Sequence, residues 1–222
     1  MNSLDSRSLR FGDTFAQKFS QSGRYTYGFG LPSLSHLDKG DGAFTLEVKD
    51  SGDTGREGKQ HYVIVRGGEG GQRLEAEPKE LSISAGDVIL WSAADSSVPG
   101  FTVSGHSEKD SFSSAALTKE AIYTHAFGSP GAVAWEDANG DRLTGRIVVG
   151  EAQAKSPDEL AAYRARLSSG VLITISGGKV DPPQVEIIVG QTVIFAVEKA
   201  NGITITDARL KVNLPKPGTA TA

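Results

Sequence analysis

Residues 15–29 and 123–137 carry one segment twice, and no other feature of the chain limits its fold as strongly. Phe15, Phe19, Gly23, Tyr25 and Tyr27 stand against Tyr123, Phe127, Gly131, Val133 and Trp135, each at an offset of 108. After a loop longer by five residues, GAFTLEV (42–48) stands against GRIVVGE (145–151). The far end of the chain repeats a different part. VLITISGG (171–178) matches HYVIVRGG (61–68), and Pro182, Val185, Ile187, Gly190 and Phe195 then match Pro78, Leu81, Ile83, Gly86 and Trp91 at an offset of 104. NGITI (201–205) follows as PGFTV (99–103) does. Repetition at this length means repeated structural units rather than one irregular domain. The order is a back half at 9–50, a complete unit at 60–151, a connector at 156–169, a front half at 170–212 and a tail at 213–222.

The units are β-rich. Twenty-seven glycines and short runs of Val, Ile and Thr suit strands joined by tight turns. Strands are expected at 61–68, on both sides of Gly86-Asp87 within 79–95, and at 100–105, 121–127, 131–137 and 144–150. Turn residues separate them about every 8 to 12 positions, the spacing of a β-sandwich. SPDELAAYRARLSSG (156–170) differs. Ser156 can cap a helix, Pro157 suits its first turn, Asp158 and Glu159 favour its positive end, and Gly170 stops it. Leu160, Tyr163 and Leu167 recur at helical spacing, as one apolar stripe of a spacer helix.

Within 61–150 the Gly-Asp strand pair LSISAGDVILW, the aromatic–Pro-Gly hairpin IYTHAFGSPGAVAWED and the closing strand LTGRIVV resemble, in their order and spacing, the cupredoxins, the blue-copper sandwich family. The resemblance implies an all-β fold of two cupredoxin-like Greek-key sandwiches plus one linker helix. The second sandwich would be assembled from the N- and C-terminal halves, within one chain or between chains. It also implies where copper ligands would lie: a His near Gly100, the Cys at Asp137, the second His near Gly140 and the Met at Leu143. The half units place the corresponding sites near Gly202, at Phe29 and near Gly40. A blue-copper centre needs two His, a Cys thiolate and commonly a Met. No residue at these positions is of that type, and the chain has no Cys. Blue-copper electron transfer is therefore excluded, and no cofactor or metal is expected.

Other chemistry is sparse. His36, His61, His106 and His125 are scattered, and read as structural residues. Asp137, Asn139 and Asp141 alternate as at the start of a calcium loop. Arg142 and Val148, however, stand where the loop needs Gly and Glu, so 137–145 reads as an Asn-Gly hairpin turn. DKGDG (38–42) is a turn by a similar argument. GGEGG (67–71) has no following helix to make an anion site. Glu136 and Asp137 are adjacent on a strand and face opposite ways. Tyr25, Tyr27 and Phe29 share one strand face and line a core. No nucleophile elbow, phosphate loop or zinc-protease helix appears, so a non-catalytic protein is expected.

The net charge of −4, without a basic stripe, argues against nucleic acid and anionic membranes as partners. No run approaches transmembrane length, and no secretory leader is visible, which makes the cytoplasm or a protein assembly the default location. Half a sandwich leaves an apolar face wet and edge groups unpaired. Hence Phe15, Phe19, Tyr25, Tyr27 and Phe29 of the back half are expected to meet Val185, Ile187, Ile194 and Phe195 of the front half. Closed between chains, that joint makes a head-to-tail ring, filament or larger complex of self or other subunits. Closed within one chain, it makes a monomeric ligand- or protein-binding module with a permuted second domain.

Overall fold

A computed structural model describes residues 3–30, 44–52, 57–68, 73–140, 143–151 and 154–210. His36, the 38–42 turn, Asp141, Arg142 and the 213–222 tail lie outside these residues. The chain begins with β1 (Asp13–Lys18), β2 (Gly23–Gly30), β3 (Phe44–Lys49), β4 (Gln60–Gly67) and β5 (Leu74–Glu77). It continues with β6 (Glu80–Ser84), β7 (Val88–Ala93), β8 (Thr102–His106), β9 (Ser111–Ser113) and the short β10 (Leu117–Thr118). Then come β11 (Ala121–Ala126), β12 (Gly131–Asp137), β13 (Thr144–Gly150) and helix α1 (Pro157–Ser168). The last strands are β14 (Val171–Ser176), β15 (Lys179–Asp181), β16 (Gln184–Ile188), β17 (Thr192–Lys199), β18 (Asn201–Ile203) and β19 (Ile205–Asp207). Among the described residues the fold is all-β with one α-helix. The expected cap is in place: Ser156 Oγ accepts the Glu159 N–H at 3.2 Å, and Pro157 opens the helix.

One eight-stranded sheet runs β15-β14-β17-β11-β1-β7-β4-β5. Two smaller sheets, β6-β3-β2-β8-β9 and β16-β13-β12-β19, pack on the two halves of its inner face. Aromatic contacts mark the packing: Tyr27 of β2 meets Trp91 of β7 at 5.8 Å between ring centroids, and Trp135 of β12 meets Phe195 of β17 at 5.1 Å. Strand order is identical in the two halves. β1-β7-β4-β5 corresponds to β11-β17-β14-β15, and β6-β3-β2-β8 to β16-β13-β12-β19. Each half is a two-layer sandwich whose interior holds one Trp, Trp91 or Trp135, both almost fully buried.

The repeat units therefore follow one another in tandem, at 13–113 and 121–207. This corrects the expected grouping, in which 60–151 stood as a complete unit and 9–50 closed on 170–212. Instead β1 pairs with β7, β2 with β8 and β3 with β6, while β11 pairs with β17, β12 with β19 and β13 with β16. Back-front-back-front admits either grouping, and loop closure separates them. Tandem pairing joins each back half to its front half across one connector: 50–59 in the first unit, and the helix-bearing 151–170 in the second. The other grouping needs one closure over roughly 120 residues instead of ten, an added entropic cost of about 2 kcal/mol. The terminal-strand alignment shifts as well. Leu46 and Val48 occupy the places of Ile147 and Val149, two residues from the sequence match, which keeps the same residues facing inward.

The two units meet strand to strand, antiparallel, through β1 and β11. Phe15 pairs with Tyr123, its own repeat counterpart, and Thr14–Thr124 and Ala16–Ile122 flank this pair. A local two-fold axis therefore passes between Phe15 and Tyr123, normal to the large sheet. The segment before β1 lies across both units. Ser6 N–H donates to Ile205 O at 2.9 Å and Leu9 N–H to Phe101 O at 2.7 Å, while Asp207 N–H donates to Leu4 O at 2.8 Å. Among the described residues no helix is long and apolar enough to cross a membrane.

Candidate functional site

The positions to which the resemblance assigns copper ligands do not come together. Gly100 belongs to the first unit, where an added Cβ would lie 2.3 Å from Ser8 Oγ. Asp137, Gly140 and Leu143 belong to the second, and there Gly202 takes the corresponding place: its carbonyl accepts Asn139 Nδ2 at 3.3 Å. Asp137 is buried and accepts the backbone N–H groups of Asn139 at 2.9 Å and Thr204 at 2.8 Å. Leu143 is core, and Gly140 has φ +103°, a turn conformation that favours glycine. Among the described residues no three of His, Cys, Asp and Glu converge as metal ligands.

The residues expected to form a joint between half units separate into two interiors. Phe15, Phe19, Tyr25 and Tyr27 surround Trp91 and Phe112 in the first, while Phe29 packs on Phe44 and Phe101. Val185, Ile187 and Phe195 are buried in the second. The two sets do not form one joint, because each is matched by its own unit. Ile194 alone among them faces outward, half-buried on the large sheet.

The strongest polar cluster sits at the local two-fold axis. His125 Nδ1 lies 2.6 Å from Asp13 Oδ1, with both side chains 5% exposed. Tyr123 Oη donates to Asp13 Oδ1 at 3.3 Å and accepts the Asp5 N–H at 3.2 Å, and Arg10 N–H donates to Asp13 Oδ2 at 2.8 Å. Burial, then the neighbouring Asp13 charge, pushes the Tyr123 phenol well above its usual range. The cluster is closed to solvent and ties β1, β11 and the N-terminal segment together, which is a structural task. The axis maps it onto Ala121 and Gln17, so it is present on one side only.

His61 and Asp87 form the second imidazole–carboxylate pair, 2.9 Å apart. Asp87 also accepts the N–H groups of Ser84 at 3.1 Å and Lys59 at 2.9 Å. Its repeat counterpart Gln191 accepts the Ile188 N–H at 3.2 Å, so the position serves a turn in both units. A shallow depression of about 340 Å³ is lined by Ser3, Asp207, Arg209 and Leu210. Burial there raises the Asp207 carboxyl, but the bonds from Arg209 outweigh it and hold the group below its usual range.

The two solvent faces of the molecule differ sharply. Over β3 and β6 an open groove of about 720 Å³ carries Arg24, Glu47, Lys49 and Glu80, the charged outer side normal for a sheet with one face in solvent. The outer side of the eight-stranded sheet carries no charge in the two central rows of its six central strands. One row reads Leu172, Ile194, Thr124, Thr14, Ser92 and Ile64. The next reads Thr174, Ala196, Ile122, Ala16, Leu90 and Tyr62. All but Ala16 are at least partly exposed, Tyr62 by 59% and Leu172 by 51%. Charges return in the flanking rows, at Lys18, Glu198 and Arg66, and on the two edge strands, at Glu75, Glu77, Lys179 and Asp181. Of the residues expected to take part in association, Ile194 alone lies on this face. The signal of the face was visible in VLITI and YVIV, where residues between the inward positions are themselves apolar. A strand with only one buried face alternates with polar residues instead.

Compared with protein-family models, curated proteins and solved structures, the chain matches none.

Proposed function

We propose that the chain is a non-catalytic structural protein, a copper-free and cupredoxin-like building block that self-associates. The observation that carries this reading is the uncharged, largely apolar centre of the outer side of the large sheet. Contiguous apolar surface on a folded chain marks an interaction site. The buried polar groups support the same reading: the carboxylates of Asp13, Asp87 and Asp137 all bond backbone N–H groups and serve turns and the unit junction. Exchange of half units between chains loses its motive, since every half is paired inside one chain; association through the sheet face takes its place.

Light scattering after size exclusion, from micromolar to millimolar chain, tests the proposal. Species heavier than the 23.3 kDa chain that grow with concentration are expected. A constant 23.3 kDa would refute self-assembly and leave a monomeric binding module.

A further inference from the structure

We infer that the occupant of this face is a second copy of the same chain, docked sheet against sheet in a closed two-fold dimer. The inference rests on the self-assembly reading and specifies its surface.

The face is built twice. The local axis exchanges its two rows, so that Leu172 maps onto Tyr62 and Ile194 onto Leu90. Tyr62 and Leu172, the two most exposed apolar residues of the face, are thus one anchor in duplicate. Each is backed across the ladder, Tyr62 by Leu90 and Leu172 by Ile194. The anchors lie five strands apart, about 24 Å at a spacing of ~4.8 Å per strand. A second copy brings two anchors at this same separation on a surface equally free of charge.

The size also fits. Eight strands at ~4.8 Å and about six residues at ~3.3 Å give roughly 750 Å² per chain with the charged rim included, close to the ~800 Å² per partner of a standard stable interface. An uncharged centre bounded by Lys18, Glu198, Arg66, Glu77 and Asp181 is the usual arrangement of such an interface. Because both faces are the same patch, the contact is isologous and closes at two chains rather than propagating. Stacked sheets pack about 10 Å apart, which puts Thr14, beside the local axis, opposite the partner's centre.

The test is sedimentation velocity on the full chain and on Tyr62→Glu, Leu172→Glu and the double variant. The wild type is expected at twice 23.3 kDa, with each single substitution weakening the dimer by at least about 30-fold and the pair abolishing it. Both positions are more than half exposed, so the variants should keep the wild-type circular dichroism and melting temperature. Lys49→Glu, on the opposite side of the molecule, should leave the dimer intact. In a chain without Cys, Thr14→Cys should cross-link to its own copy through a bifunctional maleimide of about 10 Å span. Assemblies that grow past two chains, or that ignore both anchor substitutions, would overturn the sheet-face dimer while leaving self-assembly standing. A chain that stays at 23.3 kDa up to about 1 mM, far above a working Kd, overturns both.

Discussion

Tandem pairing of the units makes a quantitative claim about which aromatic residues depend on one another. Tyr27 and Trp91 are 1% and 0% exposed and meet edge to face at 5.8 Å. Replacing either by Leu removes its ring from the first interior and should cost about 1–3 kcal/mol, less than the 3–5 kcal/mol of full truncation. Because the ring pair is lost with the first substitution, the second costs less. The double variant Tyr27→Leu/Trp91→Leu should therefore be less destabilised than the sum of the singles by about 1 kcal/mol, within the 0.5–1.5 kcal/mol of aromatic pairs. The control cycle pairs Tyr27→Leu with Phe195→Leu. Phe195 packs on Tyr123 and Trp135 in the other unit, so this cycle should add within about 0.3–0.5 kcal/mol. Urea unfolding followed by far-ultraviolet circular dichroism gives all the required free energies. Coupling in the Tyr27/Phe195 cycle and additivity in the Tyr27/Trp91 cycle would refute tandem pairing and restore closure of 9–50 on 170–212.

Three further outcomes follow from single sites. Asp13→Ala leaves the buried His125 and Tyr123 without their shared acceptor, and should cost about 3–5 kcal/mol by chemical denaturation; a loss below 1 kcal/mol would mean the cluster does not hold the units together. Burial pushes the Tyr27 phenol up to about 12 and also holds the Tyr123 phenol well above its usual range, both above the unfolded value of 10.0. The stability this represents is fully present below pH 10 and is lost as pH rises toward 12, about 3 kcal/mol for Tyr27 alone. Urea midpoints that stay constant from pH 9 to about 11.5 would contradict that burial. Gly145→Ala would set a Cβ 2.5–2.8 Å from the Trp135 indole and should destabilise by about 1–3 kcal/mol with a shifted Trp emission; unchanged stability and emission would show that the indole can move aside.

Much of the local structure was legible in the residues alone. The apolar periods of HYVIV, GAVAWED and TGRIVV, with the turns between them, place β4, β12 and β13 where they stand. Ser156 and Pro157 start α1 as capping chemistry requires. These signals are local, since strand period and helix capping act over a few residues. β5 was not legible, because LEAE carries two carboxylates and becomes a strand only by pairing with β4. The grouping of the half units was not legible either. Inward positions of both back halves present the same type of face, so Phe15 and Tyr123 are equally suited to Trp91 or Phe195, and chain connectivity decides. The apolar outer rows were written in the sequence, at Tyr62, Leu90, Leu172 and Ile194. They became one surface only when β1 met β11, because that pairing joins two four-stranded halves into a continuous sheet and places the duplicated anchors on the same side.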